Sequence, residues 1–577
     1  MKLFALLTLI CCNGIVYSQP PTVLSTLPVH QTNNAPANTE IAVYFDESLD
    51  VATVSGASFR VFGRWSGPAK GSLALFDNNR QVVFSPEEPF FAGEWVTVSL
   101  SKTIKSETGE NLAKPYAWNF WIKTAPGQLD QPLVETIELR LPDDPTLLQT
   151  YGAYAGDLDN DGYSDLVAVN ENSDDLRILL NDGQGGYPSF TIYDMGDDST
   201  PSPSEGADFN NDGEIDLVVT TAWDTEVRVL TGNGQGSFTN LQTYFTSNGV
   251  RGVVVGDFDG DGWDDMLTTN RLSGNISIFM NDGTGGFTVS GMDLPGEDET
   301  ACALTDVNND GVMDVFFASY NSQKVGVLLG DGYGVFTPAA SVGVQGKPWM
   351  IATGDFNGDG NADVATVNSN GNKTAVLFGD GQGGLGQPVH YSPINHNFPL
   401  AIDIGDLDGD GDLDLVTSNY GSKTYTVFEN DGLGSFVAAA TLNADSLSSC
   451  AILHDRDNDG DLDITATDEG DDVILLFENP GQANVLSETD KNEKEIVLFP
   501  NPVSKTFTLS YALRSSQQIC FSLHDFLGTP IKQWKKNQPI GNQLERCDVS
   551  SLPFSGIYTI WIKCDEFEIV KRFTIVR

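Results

Sequence analysis

Seven times between residues 154 and 479 the chain writes an aspartate, then Asp or Asn two residues on, Asp four on, Gly five on and Asp eight on. The first copy is Asp157-Leu158-Asp159-Asn160-Asp161-Gly162-Tyr163-Ser164-Asp165, and the others start at Asp208, Asp257, Asp306, Asp355, Asp406 and Asp455. Oxygens at alternating positions around a glycine-tightened turn point to one centre. A hard cation such as calcium is held this way, by six to eight oxygens at about 2.3–2.6 Å. The expected ligands are Asp157, Asp159, Asp161 and Asp165; Asp208, Asn210, Asp212 and Asp216; Asp257, Asp259, Asp261 and Asp265; and Asp306, Asn308, Asp310 and Asp314. Asp355, Asn357, Asp359 and Asp363, then Asp406, Asp408, Asp410 and Asp414, then Asp455, Asp457, Asp459 and Asp463 complete the series. Tyr163, Glu214, Trp263, Val312, Asn361, Asp412 and Asp461 would each add a backbone carbonyl, so up to seven Ca²⁺ are expected.

Two other readings fail. An EF-hand needs Glu at position twelve and helices on both sides; here that position is Ala168, Val219, Thr268, Phe317, Thr366, Thr417 or Ala466. Plain polar turns would leave three or four carboxylates repelling one another without a counter-ion. His454, just before the seventh loop, reads as a surface residue rather than a ligand.

The loops recur every 49 to 51 residues. Each precedes a short apolar run such as Leu166-Val167-Ala168-Val169, a polar turn, a second run and a Gly-rich turn such as Asn281-Asp282-Gly283-Thr284-Gly285-Gly286-Phe287. Such runs, punctuated by Asn/Asp-Gly, are strands and hairpins. About four strands per 50 residues make a propeller blade. The chain is therefore all-β, with a seven-bladed propeller over residues 128–481. An open ring would expose two sheet edges. The last repeat lacks its final strand, and residues 132–141 (PLVETIELRL) form a spare one expected to complete it.

The run Asp355-Phe356-Asn357-Gly358-Asp359-Gly360, followed by Asp363-Val364, resembles the FG-GAP/VCBS repeat of integrin α-type propellers. The resemblance implies Ca²⁺ between the first two strands of each blade and ligand contacts on the other face. Loops of that other face carry Arg251, Lys347, Trp349, His396 and Phe398.

The flanks differ from the repeats. Residues 20–127 alternate with period two, as in Val96-Thr97-Val98-Ser99-Leu100, which predicts a β-sandwich. Phe45-Asp46-Glu47-Ser48-Leu49-Asp50, Phe91-Ala92-Gly93-Glu94 and Trp118-Asn119-Phe120 resemble a bacterial Ig-like domain. Its tryptophans read as core rather than as carbohydrate platforms. Residues 482–494 are a polar linker. After them Val497-Leu498-Phe499-Pro500-Asn501-Pro502, His524-Asp525-Phe526-Leu527-Gly528 and Ser555-Gly556-Ile557-Tyr558 resemble the type A C-terminal sorting domain of the type IX secretion system of Bacteroidota. This implies that residues 495–577, a small β-sandwich, engage that machinery, with release or surface attachment to follow.

A short basic start, an apolar core over residues 3–16 and small residues at Val16 and Ser18 read as a secretory signal spanning residues 1–18. No later segment is long enough to span a bilayer as a helix. Of the cysteines beyond it, Cys302 and Cys450 read as small buried residues, and one pair among Cys520, Cys547 and Cys564 is expected to bridge.

Residues 128–490 carry 62 acidic and ten basic side chains. That balance repels phosphate backbones and anionic lipid, excluding nucleic-acid and membrane-surface binding. Catalysis should leave a constellation, yet no GxSxG, HExxH or CxxC occurs among five histidines. The favoured function is a secreted or cell-surface, calcium-binding, non-catalytic binding or adhesion module. The alternative is a secreted carbohydrate-active enzyme, a polysaccharide lyase or hydrolase, because a catalytic carboxylate pair would be hidden among so many acids.

Overall fold

A computed structural model describes residues 19–481, except 143–145, 197 and 295–297, and residues 497–575, except 500–504, 514–515, 525–529, 540, 551–555 and 565–567. The signal and linker expectations, residues 1–18 and 482–494, lie outside the described residues. The chain divides into two compact units, one up to Gln482 and one after it. Among the described residues one 3-10 turn, Val51–Thr53, is the sole helical element; the rest of the regular structure is β.

The repeats fold into four-stranded antiparallel sheets, seven of them among the described residues. In blade 1 the strands are Thr150–Gly156, Asp165–Asn170, Asp175–Leu179 and Phe190–Asp194. The second strand of every blade is buried at all six positions, because each sheet is covered on both sides by neighbouring blades. This is why the sequence shows continuous apolar runs there instead of alternation. The innermost strands start at Thr150, Pro201, Val250, Glu299, Pro348, Pro399 and Ser448; each lies beside the next, and the last lies beside the first. Leu133–Glu138 supplies the outer strand of the final blade, with Glu138 opposite Val473 and Leu133 opposite Phe477. A strand from before the first repeat thus locks onto the last, and the final blade has four strands like the others.

Residues 23–121 form two further four-stranded sheets. Phe59, Phe84, Trp118 and Phe120 fill the space between them. The sheet of Phe59–Gly63, Trp95–Leu100 and Tyr116–Trp121 lies across one end of the propeller's central channel. Its Arg60, Arg64, Trp95 and Trp121, together with the inner strands, enclose a chamber of about 340 Å³. The tryptophans are mostly interior, as expected, but only Trp118 serves the sandwich core alone: Trp65 packs among propeller residues such as Leu407 and Leu462.

In the second unit, Val497–Phe499, Thr506–Leu513 and Gly541–Asp548 form one sheet. Pro530–Gln538, Gln517–His524, Gly556–Lys563 and Glu568–Ile575 form another. The expected disulfide is corrected: Cys520 and Cys547 are both unbridged, and any pair among the three cysteines would need one of them. Cys520 and Cys547 sit in different sheets, in register with Lys563 and Phe507 respectively. Cys302 and Cys450 are half-buried and line the chamber rather than lying fully inside a blade; burial raises the Cys450 thiol to about 11.

Candidate metal centre

Each aspartate loop joins the first strand of its blade to the second. The leading carboxylate folds the turn around itself: Asp157 accepts the backbone N–H groups of Asp161 and Gly162, both at 3.0 Å. Gly162 has φ +85°, and Asn160 has φ +60°, a region tolerated by asparagine better than by most side chains. The closing carboxylate stitches the loop to the far end of the third strand. Asp165 accepts from Leu158 at 2.9 Å and Asn181 at 2.8 Å. Asp216, Asp265, Asp314, Asp363, Asp414 and Asp463 repeat the same pair of bonds. A carboxylate oxygen that accepts one N–H keeps a lone pair for a cation, so this stitching and ion binding are compatible.

The donor set fits a divalent ion. Oxygens of Asp157, Asp159 and Asp165 lie within 4.8 Å of one another, as do those of Asp257, Asp259 and Asp265, of Asp406, Asp408 and Asp414, and of Asp455, Asp457 and Asp459. Oδ1 of Asp159, Asp455 and Asp461 is buried with no hydrogen-bond partner among the described residues. Burial first, and then repulsion from neighbouring carboxylates, raises Asp165 to about 7 and Asp265 and Asp363 to about 8, against the pull of their backbone N–H donors. A dication reverses that balance and holds such groups ionised. Asn210, Asn308 and Asn357 occupy the third position in the remaining loops, each accepting the backbone N–H two residues on.

Sequence reading missed two features here. Asp461 was expected to offer only its carbonyl, yet its carboxylate is buried beside Asp459 and Asp455, whose charges add to burial in raising it to about 8. The side chains of Glu214 and Asn361 reach sideways instead, to Asn160 and Asn309 of the preceding loop. His454 is corrected: it is fully buried, bonded to Ser164 and Thr465 hydroxyls and edge-on to Trp65, and burial lowers it to about 3.

The sandwich sits on this face, leaving the outer parts of the loops exposed. Its residues and the segment leading out of it bond to every loop. Trp65 O accepts from Asp157 N at 2.8 Å, Arg60 donates to Asp208 O at 3.3 Å, and Ser101 donates to Gly260 O at 2.7 Å. Ala117 N donates to Gly311 O and Asn33 to Asp355 O, at 2.7 and 3.2 Å. Gly127 N and Ala125 N reach Asp408 O and Gly460 O, at 2.9 and 2.6 Å. Arg60–Asp264 and Arg64–Asp403 add ion pairs at 2.9 Å.

At the other mouth of the channel, Arg251 is buried and paired with Glu171 at 2.9 Å, with its guanidinium 5.2 Å from Tyr151, 5.4 Å from Trp223 and 5.7 Å from Trp349. Arg271 lies 4.9 Å from Trp349 and 5.1 Å from Tyr320, and the Lys347 ammonium 4.4 Å from Tyr320. Of the five residues read as a ligand face, Arg251, Lys347 and Trp349 therefore converge. Phe398 packs on Tyr420. His396 is corrected: it is buried, bonded to Thr374 and edge-on to Phe428, so it cannot present itself to a ligand. Arg271, Tyr320 and the exposed Trp223 were missed; their signal was basic and aromatic residues at strand ends in an otherwise acidic block.

The FG-GAP-like repeat model matches six overlapping windows, 157–219, 208–268, 257–317, 306–366, 355–417 and 406–466, which together span more than half of the chain. The chain belongs to the FG-GAP-like repeat family. Two more models match this FG-GAP-like protein: a bacterial Ig-like domain over residues 17–121 and a secretion system C-terminal sorting domain over residues 497–576. The sorting domain marks it for type IX export, to the cell surface or beyond. No curated protein matches it. Among solved structures, a functionally unknown protein from Desulfotomaculum acetoxidans is 15% identical, over 54% of this chain and 98% of that one, at TM-score 0.38. PorZ, a surface component of the type IX secretion system of Porphyromonas gingivalis, is 13% identical, over 88% of this chain and 74% of that one, at TM-score 0.37. No helix of the described residues is long and apolar enough to cross a membrane.

Proposed function

We propose that the protein is an extracellular, calcium-stiffened and non-catalytic binding module, which meets its ligand at the mouth of the propeller opposite the aspartate loops. Ca²⁺ in the loops, one per blade, would hold the carboxylates ionised and tie the first two strands of each blade together. One observation carries the reading. The aspartate face is occupied by the chain's own sandwich, while the other mouth presents Arg271 and Lys347, for which no carboxylate partner is found among the described residues, beside Trp349, Tyr320 and the exposed Trp223. In a block so acidic, cations without a carboxylate partner mark a place kept for an anionic group, and aromatic faces suit the apolar face of a sugar ring. Histidine offers no catalytic base there: His396 is packed inside a blade.

The test is retention of the purified chain on polygalacturonate, chondroitin sulfate, xylan and laminarin, with new reducing or unsaturated ends assayed in parallel. Retention on the acidic polymers is expected to fall at least about tenfold in the Arg271→Ala, Lys347→Ala double variant, about 1.4 kcal/mol. Retention unchanged in that variant would remove the mouth as the binding surface. Chain cleavage would replace the binding module by the carbohydrate-active enzyme.

A further inference from the structure

The loops are not all alike, and their differences come in pairs. Blades 1, 3, 6 and 7 have Asp at the third loop position: Asp159, Asp259, Asp408 and Asp457. Twenty-four residues after the leading aspartate the same four blades have Asn181, Asn281, Asn430 and Asn479. Blades 2, 4 and 5 have Asn210, Asn308 and Asn357 at the third position, and there the later residue is Gly232, Gly330 or Gly379.

The structure gives the later residue a physical role. Each of the four asparagines clips two loops at once. Asn181 donates to Ser164 O in its own loop at 3.1 Å and to Arg456 O in the preceding loop at 2.9 Å. Asn281 does the same with Asp264 and Phe209, at 3.1 and 2.9 Å. Asn430 joins Leu413 and Phe356, at 3.1 and 2.9 Å. Asn479 joins Leu462 and Leu407, at 3.1 and 3.0 Å. In the glycine blades that clip is excluded by backbone. A Cβ would stand 2.1 Å from Ile215 O at Gly232, 2.4 Å from Met313 O at Gly330 and 2.2 Å from Ala362 O at Gly379. These carbonyls are equivalent to Ser164 O, so the peptide just before the closing aspartate takes one of two settings. That peptide joins the expected carbonyl ligand to the closing carboxylate, and the difference therefore falls within the ion site itself.

We infer that the ring holds two classes of divalent-cation site: a strong class in blades 1, 3, 6 and 7 and a weak class in blades 2, 4 and 5. The inference rests on the calcium reading above and deepens it. Ligand charge and site rigidity set the affinity of oxygen sites for calcium, and the strong class has more of both: four carboxylates instead of three, and a clip on the adjoining peptide. The buried loop oxygens without a hydrogen-bond partner among the described residues, Oδ1 of Asp159, Asp455 and Asp461, all belong to this class. In the weak class the third side chain brings an amide donor where a carboxylate oxygen would stand; Asn210 Nδ2 bonds to Asp212 at 2.9 Å. Neighbouring cations do not cancel the difference, because they occur in both classes: Lys102 lies 3.8 Å from Asp259 and Arg456 3.7 Å from Asp463, while Lys114 lies 3.3 Å from Asp310. The clips also link loops 5, 6, 7 and 1 into an unbroken series, across the seam where the ring is closed by the strand Leu133–Glu138.

The test is equilibrium dialysis of the full exported chain, stripped with EGTA, against radioactive calcium. Two phases are expected, the first filling one ion in each strong-class loop and the second at least about tenfold weaker. Asn308→Asp is expected to add one ion to the first phase and Asp259→Asn to remove one. Asn281→Gly, which leaves every carboxylate in place, is expected to weaken the blade 3 site while keeping its ion in the first phase. A single phase with an ion in each of the seven loops would overturn the two classes while leaving the calcium reading intact; no binding would overturn both. Phases of Asn308→Asp and Asp259→Asn that match the parent would overturn the assignment to these residues, and Asn308→Asp reads as a gain that no folding defect can imitate.

Discussion

The two faces of the propeller solve opposite electrostatic problems. On the aspartate face, like charges are crowded together and the chain answers with backbone N–H donors, four sandwich cations and room for an ion. At the other mouth, a few cations stand in an acidic block, stacked on rings and in one case paired with a buried glutamate. On the reading proposed above, the first face takes a metal ion to become fully ordered, whereas the second keeps its shape without its ligand. Order on one face should therefore depend on metal, and order on the other should not.

Chelation is the strongest way to break that contrast. Removing Ca²⁺ with EGTA is expected to lower the melting temperature by on the order of 10 °C, since a ligand bound only by the folded chain stabilises it by mass action. Readdition should restore the melt, and a melt indifferent to both would end the distinction between the faces. Next in size is Arg251→Ala, which strands Glu171, a residue 5% exposed. Breaking such a buried pair costs about 3–5 kcal/mol, read by denaturant unfolding at saturating Ca²⁺. A loss below about 1 kcal/mol would mean that Ser202 and Gln149 satisfy the glutamate without the arginine.

The smallest effect is a pH slope. Burial first, and then the Glu171 carboxylate, raises Glu469 from 4.5 to about 7, with Tyr420 donating to it and with Arg251 and Asp472 also facing it. Because the folded value lies above the unfolded one, its contribution is most favourable below about pH 4.5 and is lost as pH rises to about 7. At saturating Ca²⁺, Glu469→Gln is expected to flatten that window, by at most about 1.4 kcal/mol per pH unit. An identical slope in the variant would assign it to other groups.

What was legible in the sequence follows from short range. The loops are closed by bonds between residues four, five and seven apart, such as Asp157 to Asp161 and Gly162, and Asp165 to Leu158, so spacing alone announced them. The spare strand before the first repeat was legible because the last repeat visibly lacked one. His454 and His396 were misjudged because their burial is imposed by Trp65 and Phe428, residues remote in sequence or on another strand. The expected disulfide failed because spacing does not say which side chains meet: Cys520 and Cys547, one of which any pair requires, lie in different sheets and are unbridged.

The aspartate pattern by itself determined the blades and their loops, because each depends on contacts within about fifty residues that repeat with the chain. Tertiary structure alone decided which face of the ring the sandwich occupies and so which mouth remains for a ligand. That choice rests on bonds such as Arg64 to Asp403 and Asn33 to Asp355, whose partners stand more than three hundred residues apart and follow no repeat.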